Sequence, residues 1–391
     1  MKKRVGPPFG RRNPHSTGSG FARHIRFGRL GLLSSGVDGE TRMAVHERTA
    51  GRHHMQAKEI CFPGKEQFVL QSCEPSEVLL PNQVRGRTIA TLVSPGTELA
   101  WAAGDDFPVK PGYSAVFEVQ ERGAGLTGVS IGERLFCMGS HRSFQQVDVA
   151  HTVAIPSAMK PEIALLARLM GVSMTTLMTT KARPGDAVVI CGAGPVGYLA
   201  AHMFLLAGYE VCVVEPDAKR RAQAQDSGIR SVFAEFPFDR PEWAGHVALV
   251  VDCSGHEQAV LDGCRIVRQN GEVVLVGVPW RRQTELSAHE LLNAVFTGFV
   301  ELRSGWEWAF PLVSRSFKWE ELLEGYNNSS QSIMAGFRKA MKWLAEDRIP
   351  LEGMVRIETP DIPEKVYRAL LERSVNEPFV VFDWRRLDSG H

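Results

Sequence analysis

The chain has no CxxC pair, no uninterrupted apolar run of the ~20 residues that span a bilayer, and almost no net charge. Each absence removes a class of protein. Seven cysteines, at 61, 73, 137, 191, 212, 253 and 264, are odd in number and scattered. That pattern argues against a disulfide framework and against a cysteine-rich metal cluster. Several sit inside apolar runs, as in Val188-Val189-Ile190-Cys191, and read as small buried hydrophobes of a reducing compartment, with the cytoplasm as the expected location. With 44% hydrophobic and 23% charged residues in 391, the composition predicts a soluble globular protein with room for two cores and no membrane partner.

The formal charge of +1 conceals a split. Residues 1–54 hold eleven Lys or Arg against three Asp or Glu, leaving 34 basic and 41 acidic residues in 55–391. An acidic body argues against a nucleic-acid partner, because neutralising phosphates needs a basic surface. The 1–54 stretch is rich in Gly, Ser and Arg and has no sustained periodicity, so it is expected to be a disordered basic tail. Its Arg-rich opening resembles an organelle transit peptide, and a domain that starts near Met55 behind an upstream start codon is the simpler reading.

What is present centres on residues 183–215. The turn Arg183-Pro-Gly-Asp186 leads into Ala187-Val-Val-Ile-Cys191, a β-branched run suited to a parallel strand buried on both faces. Gly192-Ala-Gly194-Pro195-Val196-Gly197 follows at once, then a helix from Tyr198 to Ala207 closed by Gly208, then a strand from Glu210 to Glu215. Gly192 permits the tight turn, Gly194 lets a pyrophosphate approach the backbone, and Gly197 lets helix and strand pack closely. Glu215 falls where a carboxylate can accept hydrogen bonds from the adenosine ribose and repel a 2′-phosphate, which favours NAD over NADP. Lys219 and Arg220 read as solvated helix charges. The alternation continues through strands at 248–253, 271–277 and 299–302 and a helix at 257–269, predicting a doubly wound parallel sheet. Ser254, Gly277 and Val278 close strands near the expected nicotinamide position, although Ser254 reads equally well as a plain loop residue.

Residues 55–165 read as short β stretches, such as Phe68-Val-Leu70, Ala115–Val119 and Arg134–Phe136, between Gly and Pro turns. A helix at 333–346 and a strand at 379–382 follow the nucleotide unit. The order, with Gly132-Glu-Arg-Leu-Phe136, Lys181–Asp186 before the glycine loop and Val274-Leu-Val-Gly-Val-Pro279, resembles the medium-chain dehydrogenase/reductase superfamily over 55–391. The resemblance implies an α/β protein with a GroES-like β-rich catalytic domain (55–167 and 305–391) around a Rossmann domain (168–304). It implies an active site in the cleft between them, and a homodimer or homotetramer.

The departures concern zinc. Where zinc-dependent members carry a Cys-Gly-Thr-Asp-like segment, a Gly-His-Glu segment and a third ligand, this chain has Ser94-Pro-Gly-Thr-Glu98, Pro111-Gly-Tyr-Ser114 and, near the third position, Met170. Ser, Tyr and Met are poor zinc ligands, and the four-cysteine structural zinc lobe is also missing, so no metal is expected. The resemblance places Thr97 near the substrate oxygen and Tyr113 at a lost histidine ligand, where its phenol could donate a proton. Ser94 and Glu98 flank them, with a turn or salt-bridge role as the alternatives. His141 is a candidate proton relay or, by the other reading, a surface histidine. Trp306 and Trp308 could wall a flat or sugar-like substrate, or pack in the core.

The expected function is a zinc-independent, NAD-dependent oxidoreductase for a secondary alcohol or its ketone, a small-molecule substrate such as a sugar, cyclitol or bulky hydroxyalkyl compound. An NADPH-dependent enoyl or quinone reductase is the alternative within the superfamily. A non-catalytic dinucleotide sensor is the alternative outside it. Ser94–Trp101, Gly104 and Pro111–Tyr113 are also similar to bacteriochlorophyllide dehydrogenases, a local likeness from which no substrate is drawn.

Overall fold

Runs of Val and Ile decide where the parallel sheet forms, and the fifteen strands of the described residues fall into three sheets. The computed structural model describes residues 57–76, 78–316, 319 and 331–387. The expected tail at 1–54 lies outside the described residues. In chain order the strands are β1 (Lys58–Cys61), β2 (Val69–Ser72), β3 (Gln83–Val93), β4 (Ala115–Arg122), β5 (Arg134–Cys137), β6 (Phe144–Asp148), β7 (Thr152–Ala154), β8 (Ala187–Cys191), β9 (Glu210–Val214), β10 (Ser231–Phe233), β11 (Val247–Asp252), β12 (Val267–Leu275), β13 (Glu301–Ser304), β14 (Val355–Glu358) and β15 (Phe379–Asp383). The main helices are α1 (Pro95–Ala102), α2 (Pro161–Ala164), α3 (Ala167–Thr179), α4 (Pro195–Leu206), α5 (Ala218–Asp226), α6 (Glu257–Ile266), α7 (Ala288–Gly298), α8 (Ile333–Ala345) and α9 (Pro363–Leu371).

One sheet runs β10-β9-β8-β11-β12-β13 with every neighbouring pair parallel. All six residues of β11 and four of the five in β8 are buried, as strands covered by helices on both faces should be. The strand order reverses between β8 and β11, so the carboxyl ends of those two strands open a crevice fit for a ligand. The expected strand at 299–302 begins two residues late. Phe299 takes a left-handed conformation (φ 52°) and ends α7 instead.

The other large sheet runs β14-β15-β3-β4-β5-β7, with β6 also on β3. Here β15, near the end of the chain, pairs antiparallel with β3, so both halves of the sequence build one β-rich domain. The fold is therefore α/β, a GroES-like domain with a Rossmann sheet. Between the sheets, a single hydrophobic cluster takes Leu92 and Val116 from β3 and β4, Leu169 and Met170 from α3, Leu199 and Met203 from α4, and Phe337 from α8. The stretch Pro161–Thr179 is apolar and long enough to cross a membrane by composition, but 67% of it is buried inside this protein. It is a core helix pair of the fold.

Candidate active site

The glycine loop after β8, the expected cofactor site, is shaped by backbone. Gly192 leaves β8 at φ 86° and donates its N–H to the Val214 carbonyl at 2.8 Å. A Cβ on Gly197 would lie 1.7 Å from the Gly192 carbonyl oxygen, so only glycine lets the first turn of α4 sit this close to the strand. Gly194 is the N-cap of α4 and Pro195 its first residue, leaving the N–H groups of the helix start turned to the crevice. A Cβ on Gly194 would have only the Arg220 guanidinium near it, at 3.9 Å. That is open space where a pyrophosphate can approach. Val196 packs on the clusters of both domains.

Glu215, 3% exposed, stands at the end of β9 and is tied to the same loop. Its Oε2 accepts the Ala193 N–H at 2.7 Å and its Oε1 the Asp217 N–H at 2.9 Å. Arg220, a half-exposed helix charge, reaches to 3.9 Å from that carboxylate and stands over the loop. On the neighbouring strand end, buried Asp252 accepts from the Ser254 N–H (2.9 Å), the Ser254 hydroxyl (2.5 Å) and the Gly255 N–H (3.1 Å). Burial pushes the Asp252 carboxyl up, and those bonds oppose it. Gly277 lies backbone to backbone against Gly255, with exposed Val278 next to it. Ser254 also touches the Gly192 side of the loop, and these expected cofactor positions therefore converge on one sheet edge.

The second half of the site is made by side chains. Ser94 is the N-cap of α1, yet its hydroxyl makes no cap bond. Glu98, four residues on, reaches back and accepts the Ser94 N–H at 2.9 Å. The Tyr113 hydroxyl donates to Ser94 Oγ and lies 3.4 Å from Thr97 Oγ1. Gly112 (φ 90°) sets Tyr113 in place, since a Cβ there would come within 2.6 Å of the His141 backbone nitrogen. Burial pushes the phenol up, so it keeps its proton at neutral pH. The Trp101 ring meets the Tyr113 ring edge-on at 6.2 Å.

Two expected catalytic groups stand behind this cluster. Glu98 and His141 are both fully buried, and His141 Nε2 lies 3.2 Å from Glu98. The Tyr367 hydroxyl donates to the same carboxylate at 2.6 Å. His141 Nδ1 lies 2.7 Å from Thr91 Oγ1, which accepts the Trp384 indole N–H at 2.9 Å. The surface reading of His141 is thus corrected, because the edge of Phe382 and Gly112 enclose it. Glu98 acts on the site by holding the Ser94 backbone. Met170, near the expected third position, is fully buried in the core.

The residue that reaches Tyr113 from α3 is Arg168, which sequence reasoning passed over. Its guanidinium lies 4.6 Å above the Tyr113 ring and makes a two-pronged pair with Glu307, at 2.6 and 2.8 Å. A lone arginine in Ala164-Leu-Leu-Ala-Arg-Leu-Met170 was the available signal, since a charge inside an apolar run needs a partner. Trp308 packs against the core, while Trp306 is half exposed. Tyr113 and Val196 rest on one cluster, which ties the phenol and the cradle helix to a common core.

Comparison with known proteins agrees with this fold. Residues 195–314 match the zinc-binding dehydrogenase family model. Sorbitol dehydrogenase of Halalkalibacterium halodurans is 22% identical over 53% of this chain and 73% of its own length. A putative D-xylulose reductase of Agrobacterium fabrum is 24% identical over 58% of the chain and 79% of its own. Other curated relatives match over as little as 36% of their length. Among solved structures, galactitol-1-phosphate dehydrogenase from Escherichia coli superimposes with a TM-score of 0.68 and 14% identity, covering 83% of this chain and 99% of that one. Family model, relatives and fold point the same way: the chain is similar to zinc-binding dehydrogenases and to polyol and alcohol dehydrogenases, and it has their fold.

Proposed function

We propose that the protein is a zinc-independent, NAD-dependent dehydrogenase of a secondary alcohol or its ketone, with a polyol or sugar as the substrate class. The observation that carries this reading is the hydroxyl cluster of Tyr113, Ser94 and Thr97 beneath Arg168. The names of the relatives, sorbitol dehydrogenase and D-xylulose reductase, support the substrate class.

The residues present do not fit a zinc ion. Three hydroxyls and a guanidinium face one another, and the Glu98 carboxylate is spent on Ser94, His141 and Tyr367. Among the described residues no three His, Cys, Asp or Glu side chains group as a metal would require. The cradle does fit a dinucleotide, with its glycine turn, helix N-terminus and Glu215. When bound, the nicotinamide supplies or accepts the hydride.

The chain's own part is the proton. In the reducing direction the Tyr113 hydroxyl donates to an oxygen gaining negative charge, and Ser94 and Thr97 orient it. Glu215 supports NAD, because its carboxylate would meet the ribose hydroxyls and repel a phosphate. Arg220 beside it is the feature that would serve NADP instead. Activity assays on polyols with each cofactor, run beside metal analysis, test the reading. NAD preference without bound zinc is the expected result; a zinc-dependent activity or a clear NADPH preference sinks it.

A second copy of the chain is the proposed partner. Leu292, Phe296 and Phe299 are 67%, 82% and 64% exposed beside β13, the edge of the parallel sheet. Light scattering should show a dimer or tetramer.

A further inference from the structure

Arg168 sits in the first turn of α3, 5% exposed, where both burial and the positive end of the helix disfavour a cation. The fold has compensated for it with care. Glu307 gives both carboxylate oxygens, and its backbone carbonyl is held in turn by the Thr175 hydroxyl at 3.0 Å. A hydrophobic pair in this place would cost the fold less, so the charge calls for another explanation. The guanidinium lies over the Tyr113 ring, and its Nε–H has no acceptor among the described residues.

We propose that Arg168, fixed by Glu307, is the permanent cation of this site and a positioning residue that steadies negative charge on the Tyr113 oxygen. The inference rests on Tyr113 being the proton donor of the proposed reaction. As its O–H bond breaks and the substrate oxygen takes the proton, while the hydride goes to the carbonyl carbon, the phenol becomes phenolate. A cation over the ring favours that form. The groups facing Tyr113 are Arg168 from α3 and Ser94, Thr97 and Glu98 from α1. Against the upward push of burial, Arg168 is the largest opposing influence, ahead of the two hydroxyls; Glu98 behind them pushes the phenol up.

The test needs neither cofactor nor substrate. The full chain is labelled with 3-fluorotyrosine and titrated by fluorine NMR, the Tyr113 signal being the one lost in Tyr113→Phe. Arg168→Met should move that titration up by about one pH unit, and Glu307→Gln, which leaves the cation less neutralised, should move it down. Loss of packing alone would not produce opposite shifts. An unmoved signal in Arg168→Met, or two shifts of the same sign, overturns the role. If Arg168→Met fails to fold, Glu307→Gln decides alone, and anything but a downward shift overturns it. Full activity in Tyr113→Phe would sink the functional reading itself. An inactive Tyr113→Phe with an unmoved titration in Arg168→Met would remove only Arg168.

Discussion

The two halves of the candidate site are built from different materials. The cradle at Gly192–Gly197 is backbone, and its shape follows from which residues lack a Cβ. The cluster at Ser94, Thr97 and Tyr113 is side chain, and its shape follows from nearby Glu98 and from partners brought from far along the sequence: His141, Arg168, Glu307 and Tyr367. A backbone site tolerates almost no change at a few positions and much change elsewhere. A side-chain site spreads its tolerance over many residues, each of which can be altered at a graded cost.

That contrast can be broken at four points. The largest effect belongs to Gly197→Val, whose side chain cannot occupy the space beside the Gly192 carbonyl. Dinucleotide affinity, followed by calorimetry, should fall at least about 100-fold, on the order of 3 kcal/mol. A valine variant that binds normally would show the cradle to be softer than its geometry implies. Tyr113→Phe comes next: kcat should drop about 100- to 1,000-fold with dinucleotide affinity unchanged, as expected for losing a proton donor.

Glu98→Ala tests the support behind the cluster. It strands the Ser94 N–H, His141 and the Tyr367 hydroxyl in a closed interior, and should cost about 3 kcal/mol in denaturant unfolding. A change in dinucleotide affinity as large as the stability loss would argue that the halves are not separable. The smallest effect is expected at His202, in the cradle helix, where burial holds the imidazole at about 4, below its usual 6.5. Between those values the unfolded chain binds more protons than the folded one. Stability is therefore full above about pH 6.5 and declines as pH falls towards 4. His202→Gln should flatten that slope in thermal melts.

The same division explains what could be read before the fold was known. β8, α4 and β9 were legible because each is a local pattern, a β-branched run, a glycine turn and an acid at a fixed distance. Ser94 and Tyr113 could be singled out only through the family resemblance, which places both segments at the lost ligand positions. His141 was not legible, because Gly139-Ser-His-Arg-Ser143 has the composition of a surface loop, and its partners lie 43 and 50 residues away. Arg168 pairs with a residue 139 positions on, and only its isolation among apolar neighbours hinted at a role. Strand ends moved for a similar reason: the run 299–302 reads as a strand, but Phe299 takes the left-handed conformation that ends α7.

The position of β15 between β14 and β3 has a consequence for how the protein is made. β3 is synthesised almost 300 residues before the strand that covers its edge. The parallel sheet is encoded between 187 and 304 and is complete while the earlier domain still lacks its last partner. On the ribosome, then, the domain that carries Tyr113 waits with an open strand edge until residue 383 emerges, and that interval is when a chaperone would have most to protect.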